Sequence, residues 1–453
     1  MTASRNPARF ARVEWLALAA AMVVAHLFHW RIVRYPSDFD AQNYLDIATD
    51  IARNGLFSKF FYSNIRTYGY PLFLALLKDV AGSQPLWGWW VFEVQLALFL
   101  LAAWAARQAM ALRSPMFARW AFVALILNPF VLSYTPETLS ESLSLTLLIA
   151  AAACWLRARS SSSRSMLLYV LAGSAVVSYA VMVRPANVFA LAAWLVAIAL
   201  LLHERRARSA LAIIALVAFG IILPVAPQYA NNVRHYGAHT PLVVAHLGTN
   251  QQIWGIQNLK YATALAPVPL PSVFYENPLA RDRPIDEAHP LRWYRDHPLA
   301  GLATMGLHVF NMLDQDLLFT YSRDLDPWYR VPVGIFNHAL IGSAVVGLVL
   351  LLVRWRSRAI DVLALLAFIL AYLAVHATAT VEMRFGLPLL ALAGPLAAWG
   401  YVQLRAQRSR ALMLGAGAFV VAYVMAALML STWVRSQSPA IVAWQQAHSA
   451  PKE

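Results

Sequence analysis

The sequence predicts an all-α polytopic membrane protein, and its composition and long apolar runs are the reasons. Of the 453 residues, 60% are hydrophobic and only 13% are charged, whereas about a quarter of the residues in a soluble domain are charged. Runs of about twenty apolar residues, the length that crosses the core of a bilayer, recur along the sequence. The predicted spans are eleven: 14–33, 86–106, 116–134, 138–156, 166–183, 187–203, 209–228, 333–353, 359–380, 386–404 and 411–432.

Short arginine clusters between the spans predict their orientation. The net charge is +14, and the basic excess lies in clusters such as Arg5–Arg12, Arg157–Arg164 and Arg405–Arg410. If eleven spans alternate, these clusters all fall on one side, which the positive-inside rule assigns to the cytoplasm. The N-terminus is then inside and the C-terminus outside. A basic excess distributed in this way does not indicate nucleic-acid binding.

The protein is expected to have three parts. Residues 1–228 form an N-terminal transmembrane module, 229–332 an extracytoplasmic loop or subdomain, and 333–453 the C-terminal transmembrane helices. The first outer loop, 34–85, carries many charged and aromatic residues beside a membrane helix. Such a loop needs a solvated role, so we expect it to form the floor of an active site.

Two interfacial helices are predicted in this first outer loop. Apolar residues recur at helical spacing over Asp40–Asn54, which is typical of an amphipathic helix on a membrane surface. Gly55 is expected to end this helix, and a second helix, too short to span, begins at Pro71. Within 229–332 we expect one or two further helices, for example at 288–315.

Asp38 and Asp40 stand where the first interfacial helix begins, and three roles are open for them. Either carboxylate is a candidate general base for an acceptor hydroxyl, since partial desolvation beside a membrane cavity favours proton acceptance. A carboxylate at a helix start also caps unpaired amides and offsets the helix dipole. The two acids form a DxD triplet as well, a pattern associated with metal-bound nucleotide sugars, so a divalent cation is the third interpretation.

Glu137 and Glu141 begin the fourth predicted span, four residues apart and therefore on one helix face. Glu141 is expected about one turn inside the membrane boundary, where an acid commonly lines a cavity or pairs with a cation. Both are candidates for sugar or acceptor binding. The alternative is a first-turn acid that balances the helix dipole, and it suits Glu137 better.

Arg184 and Arg384 lie at the outer ends of apolar helices, and each precedes a proline. A guanidinium binds phosphate through two parallel hydrogen bonds, so both are candidate phosphate ligands. The alternative is snorkelling to lipid head groups. Arg66 and Arg234 are predicted on the same face, which favours a site for an anionic lipid head group. Glu382 is expected to orient the guanidinium of Arg384.

Several other kinds of site are not supported. The sequence has no GxSxG, HExxH or GxxxxGK[ST] motif, which argues against a serine hydrolase, a zinc protease and a phosphate-binding loop. Its single cysteine, Cys154, lies in an apolar run and excludes a disulfide framework. The twelve histidines lack the spacing of metal ligands.

A set of spaced motifs resembles a known class of membrane proteins. The motifs cover residues 35–400 and read SDFDAQNYLDIATDIARNGLF, RTYGYPLFLALL, LSESL, MVRPANVF, PQYANNVRHYG, RWYRDHPLA and EMRFGLPLL. In this order they resemble the integral-membrane glycosyltransferases of the C superfamily, GT-C. Within that superfamily they are similar to the bacterial relatives of protein O-mannosyltransferases and aminoarabinose transferases, which use polyprenyl-phosphate sugars.

The resemblance implies a multi-pass protein of the bacterial inner membrane with a periplasmic active site. It implies transfer of a single sugar, with inversion, from a polyprenyl phosphate to a periplasmic glycan, lipid or protein. By its position relative to Tyr44, Asp40 matches the loop acid of the family, and Tyr44 is placed with it at the sugar or acceptor site. Arg184 and Arg384 correspond to the ligands of the donor phosphate, and Glu141 to an acid that helps bind sugar or acceptor.

One residue departs from the family pattern. Ala41 follows Asp40 where the protein mannosyltransferases have a paired Asp-Glu, so the acceptor class is not determined.

Two alternative functions stay open. A transporter or flippase of lipid-linked glycans is expected to carry charges near the middle of several spans and internal pseudo-symmetry, whereas here the charges gather on one face. A polymerase or ligase of lipid-linked oligosaccharides keeps the chemistry but uses a larger donor.

Overall fold

A computed structural model describes residues 11–32, 40–59, 65–81, 84–205, 210–245, 247–263, 272–315, 317–319, 324–354 and 359–449. Within these ranges the protein is mostly helical, with one two-stranded sheet. The elements are α1 (Arg12–Ile32), α2 (Asp40–Asn54), α3 (Gly69–Ala81), α4 (Gln84–Ala111), α5 (Pro115–Ile126), α6 (Pro129–Ser133), α7 (Ser140–Ser160), α8 (Ser163–Val183), α9 (Val188–Arg205), α10 (Ala210–Tyr236), α11 (Leu247–Gln257), β1 (Asn258–Thr263), β2 (Ser272–Glu276), α12 (Arg292–Asp296), α13 (Pro298–Leu313), α14 (Arg330–Val353), α15 (Ala359–Ala377), α16 (Leu387–Gln407), α17 (Arg410–Ser436) and α18 (Pro439–Ser449).

Ten of the described helices are long and apolar enough to cross a membrane: α1, α4, α7, α8, α9, α10, α14, α15, α16 and α17. The predicted all-α polytopic membrane fold is therefore confirmed, with ten candidate spans by length and composition among the described residues; the predicted count of eleven stays a prediction. The protein is a multi-pass membrane protein.

The predicted span 116–134 is two helices instead of one. α5 ends two residues before Asn128, and α6 begins at Pro129. Proline has no amide hydrogen, and it disfavours helical backbone in the residue before it. Oδ1 of Asn128 accepts hydrogen bonds from the amides of Phe130 at 3.0 Å and Val131 at 3.4 Å. The Asn-Pro pair thus ends one helix and caps the next, which leaves α5 with twelve residues.

The first outer loop contains the two predicted helices. α2 has the predicted bounds, and Gly55, with a φ of +82°, follows its last residue in the left-handed conformation that glycine favours. α3 begins at Gly69, two residues before the expected start. Nζ of Lys78 on α3 donates a hydrogen bond to Oγ1 of Thr49 on α2 at 2.9 Å. The buried face of α2 has the helical spacing that its sequence predicts and comprises Ala41, Tyr44, Ile47, Ala48 and Ile51.

The start of α3 is fixed closely against α8. A Cβ at Gly69 would lie 2.5 Å from both the carbonyl carbon and the carbonyl oxygen of Met182, so only glycine fits there. The hydroxyl of Tyr179 donates to the carbonyl of Gly69 at 2.8 Å. The preceding amide, of Tyr68, donates to Oε1 of Gln228 on α10 at 3.0 Å. These contacts anchor the segment that carries Arg66.

The protein divides into two compact units. One comprises residues 1–245 with 354–371, and the other 246–353 with 372–453. The first holds α1 to α10 and most of α15; the second holds α11 to α14, α16 to α18 and the sheet. The predicted division into three parts stays a prediction.

The second unit contains a hairpin that has no counterpart in the sequence prediction. β1 pairs antiparallel with β2, and Tyr261 also forms a bridge with Glu382. β1 lacks the regular alternation of a half-buried strand, because its neighbouring residues Leu259 and Lys260 are both buried. The helical content expected near 288–315 is present as α12 and α13.

Candidate functional site

The first group of predicted site residues lies between the start of α2 and the segment before α3. Asp40 is the first residue of α2, where a carboxylate interacts favourably with the helix dipole. Its Oδ1 accepts a hydrogen bond from Nη2 of Arg66 at 2.5 Å. Both side chains are about a quarter exposed, at 27% and 24%. A carboxylate and a guanidinium thus lie side by side at a position that solvent reaches.

Tyr44 connects this ion pair to the start of α7. The guanidinium of Arg66 lies 5.1 Å from the centre of the Tyr44 ring, a distance at which a cation is attracted to an aromatic face. The Tyr44 hydroxyl donates to Oγ of Ser140, the first residue of α7, at 3.2 Å. The ring of Tyr70 contacts Tyr44 edge-on, with centroids 5.0 Å apart.

Tyr70 links Tyr44 and its neighbours to α4 and to the two predicted glutamates. Its hydroxyl, fully buried, donates to Oε1 of Gln95 at 3.2 Å, and Nε2 of Gln95 donates to the carbonyl of Glu137 at 3.0 Å. Burial raises the pKa of the Tyr70 hydroxyl well above its usual value, and Tyr44, Glu141 and Glu137 raise it further. Tyr70 therefore remains a neutral hydrogen-bond donor.

Glu141 and Arg184 form a second ion pair in the first unit. Glu141 lies in the first turn of α7, and Nη1 of Arg184 donates to its Oε1. The side chains are 4% and 19% exposed. A 3₁₀ turn at Pro185–Asn187 follows Arg184, and Nδ2 of Asn187 donates to Oγ of Ser144, one turn along α7, at 2.7 Å. The turn is therefore fastened to the helix that carries the acid.

We call the residues joined by these contacts the first-loop cluster. It brings together six of the predicted site residues: Asp40, Tyr44, Arg66, Glu137, Glu141 and Arg184. Arg234 is exposed in the last turn of α10, and its side chain makes no hydrogen bond or ion pair within the described ranges. Asp38 lies outside the described residues.

The remaining predicted pair, Glu382 and Arg384, lies in the second unit. Arg384 belongs to a 3₁₀ turn, Met383–Gly386, and its Nε donates to Oε2 of Glu382 at 2.5 Å. These side chains are 9% and 4% exposed. Oε1 of Glu382 accepts a hydrogen bond from Oγ1 of Thr263 on β1 at 3.1 Å. The guanidinium is thus held by an acid that is itself held by the hairpin.

The described residues contain no group of three or more His, Cys, Asp or Glu side chains that could hold a metal ion. The DxD interpretation depends on Asp38, which is outside those residues, and stays a prediction. Glu93, in the apolar span α4, pairs with a histidine: its Oε1 lies 3.1 Å from Nε2 of His26.

Sequence reasoning missed several polar residues that build the cluster. Ser140, Gln95 and Gln228 hold Tyr44, Tyr70 and the segment before α3, and none was predicted. The two glutamines could have been predicted, because Gln95 and Gln228 are polar residues within otherwise apolar spans, where such residues have specific partners. No comparable sequence signal marks Ser140.

Comparison with known proteins agrees with the fold. Residues 18–229 match the model of the Alg9-like mannosyltransferase family. The apo oligosaccharyltransferase of Archaeoglobus fulgidus is similar in structure, with a TM-score of 0.53 at 12% identity, over 92% of this chain and 54% of that one. The predicted resemblance to GT-C glycosyltransferases is therefore confirmed, and the family match supports the predicted enzyme class.

A second solved structure similar to this protein is ArnT from Cupriavidus metallidurans bound to undecaprenyl phosphate. The TM-score is 0.49 at 13% identity, over 86% of this chain and 60% of ArnT. The protein thus spans little more than half the length of the solved proteins it resembles. No curated protein matches its sequence.

Proposed function

We propose that this protein is a glycosyltransferase of the GT-C type that transfers a single sugar from a polyprenyl-phosphate donor to a periplasmic glycan, lipid or protein, with inversion at the anomeric carbon. The observation that carries the proposal is the first-loop cluster. In it a partly exposed Asp40 and the ion pair of Glu141 with Arg184 are connected through Tyr44 and Ser140. An acid that solvent reaches and a nearly buried guanidinium are the two groups that the reaction needs.

The reaction places one demand on each of these groups. The acceptor hydroxyl attacks the anomeric carbon while Asp40 takes its proton, and the lipid phosphate leaves with the electron pair of the broken carbon–oxygen bond. Arg66 orients the carboxylate through their hydrogen bond. Arg184 stabilises the charge that develops on the phosphate, where a preorganised donor is most effective. Arg384 of the second unit has the same ligand chemistry, with Glu382 as its orienting acid.

The ion pairs of Arg184 and Arg384 favour an anionic ligand at these arginines. Each guanidinium is held by a carboxylate in a largely buried position, so a phosphate that binds beside that carboxylate meets a desolvated donor fork. A neutral sugar has no equivalent partner for a guanidinium. The roles of Glu141, Glu137, Glu382 and Tyr44 in sugar or acceptor binding, which the sequence led us to expect, are part of the same proposal.

We also propose that the cluster faces the periplasm of a bacterial inner membrane, with the N-terminus in the cytoplasm. In the first unit, Asp361 at the start of α15 pairs with Arg113 at 2.5 Å and with Arg159 at 3.5 Å. The ends of α4 and α7 therefore meet. Because α7 is about 30 Å long, α5 and α6 must return the backbone to its other end. This supports eleven crossings with the arginine clusters on one side, which the positive-inside rule assigns to the cytoplasm.

The test compares Asp40→Asn with Asp46→Asn, a control on the same helix whose carboxylate accepts a hydrogen bond from Gln42 instead of Arg66. Envelope glycan modification and the delivery of lipid-linked sugar to the periplasmic face are measured in the same cells. We expect Asp40→Asn to abolish modification while delivery continues, and Asp46→Asn to leave both unchanged. Loss of delivery in Asp40→Asn would instead favour a transporter or flippase.

A further inference from the structure

The second unit contains a buried ion pair that the proposed reaction does not use. Lys260 in β1 and Asp314 just after α13 are 1% and 2% exposed, with Nζ 3.1 Å from Oδ2. Nζ also lies 4.8 Å from the centre of the Tyr275 ring. The carboxylate has two further partners: Nε2 of His338 is 3.2 Å from Oδ1, and the hydroxyl of Ser431 donates to Oδ2 at 2.9 Å.

Stability alone does not account for such a pair. Removing a lysine and an aspartate from water is costly, and well-packed apolar side chains of similar volume often give equal or greater stability. A buried ion pair does impose a specific geometry, because each charge has few acceptable partners in its surroundings. The informative question is therefore which neighbouring groups this geometry fixes.

On the strand side, two residues that follow Lys260 in β1 hold the segment before Arg384. The amide of Tyr261 donates to the carbonyl of Val381 at 3.0 Å. Oγ1 of Thr263 donates to Oε1 of Glu382 at 3.1 Å. A movement of β1 along its own axis would change both contacts together.

On the helix side, Gln315, the residue after Asp314, holds the next residue of that segment, Met383. Nε2 of Gln315 donates to the carbonyl of Met383 at 3.1 Å, and Gln315 is itself buried. Three consecutive residues, 381 to 383, are thus each held by a residue within three positions of one end of the ion pair. Arg384 follows directly.

We propose that Lys260 and Asp314 are positioning residues for the guanidinium of Arg384. The ion pair locks β1 against the end of α13, and these two segments fix the turn that keeps Arg384 against Glu382. His338 and Ser431 tie the same carboxylate to α14 and α17. The inference rests on the proposed function, since it takes Arg384 to be a ligand of the donor phosphate.

The test measures the affinity of the full-length, detergent-purified protein for undecaprenyl phosphate, together with its thermal unfolding midpoint. We expect Lys260→Met to weaken binding at least roughly tenfold, the range typical of residues that orient a ligating group. Lys260→Arg, which keeps the charge, should retain most of the affinity. The control is Glu14→Gln, which breaks a buried ion pair with Arg107 in the first unit; it should lower the midpoint and leave the affinity per folded molecule within about twofold.

The outcomes separate the two proposals. Wild-type affinity in Lys260→Met would overturn the positioning role, while loss of affinity in Arg384→Ala would still support the phosphate site. Wild-type affinity in Arg384→Ala would overturn the phosphate role of Arg384, whatever Lys260→Met does. If Lys260→Met does not fold, Gln315→Leu replaces it, since it removes only the hydrogen bond to Met383. Wild-type affinity in Gln315→Leu would then overturn the inference.

Discussion

Substituting Gly386 by alanine gives a sharp test of how tightly the Arg384 turn is packed. A Cβ at Gly386 would lie 2.0 Å from the carbonyl oxygen of Met312, whereas ordinary contact begins at 3.4 Å. Because that oxygen belongs to the backbone, the turn has to move by about 1.4 Å, and a close-packed interior has no free space for such a movement. Overpacking of this kind costs roughly 1–3 kcal/mol. A displacement of about 1 Å at a reacting group can lower a rate on the order of a hundredfold.

The assay compares Gly386→Ala with Gly417→Ala, a control in α17 where an added Cβ meets nothing within 4 Å. We expect Gly386→Ala to lower both the unfolding midpoint and the affinity for a polyprenyl phosphate. Gly417→Ala should stabilise slightly, since alanine is favoured over glycine in a helix by about 1 kcal/mol. Equal midpoints and equal affinities in the two variants would refute the reasoning, because the close approach to Met312 would then have no consequence.

Two further predictions concern stability. Glu14 is fully buried and accepts hydrogen bonds from Arg107 at 2.8 and 3.2 Å, so Glu14→Gln should destabilise the protein by about 3–5 kcal/mol in thermal unfolding, and replacement of both residues by leucine by less. Burial by itself would raise the pKa of Asp326, but a hydrogen bond from Gln445 and two neighbouring arginines lower it below its usual value. A lowered pKa contributes stability above the unfolded value of about 4 that is lost as the pH falls through the folded one. The midpoint difference between wild type and Asp326→Asn should therefore shrink on acidification; a constant difference would contradict this.

Local patterns predicted the elements whose causes are local. The bounds of α2 follow from apolar spacing that begins at Asp40 and from a glycine that follows its last residue, both of which act within a few residues. The break at Asn128 and Pro129 was readable for the same reason. It was missed because the apolar run continues across it, and hydropathy does not register a backbone interruption.

Contacts between distant parts of the sequence could not be predicted. Tyr44 and Ser140 are 96 positions apart, and Lys260 and Asp314 are 54 apart. Nothing in either local sequence indicates its partner. The motifs predicted that Asp40, Glu141 and Arg184 belong to one site, which stays a prediction; they did not predict that Glu141 and Arg184 would pair, since that pairing depends on how α7 and α8 pack.

Native mass spectrometry of the full-length, detergent-purified protein tests the central claim most directly. The account predicts that a polyprenyl-phosphate sugar is retained by the wild type, that its mass identifies the sugar, and that Arg184→Ala loses it. Retention of bulk phospholipid alone by the wild type, under conditions that preserve bound lipids, would contradict the proposed donor.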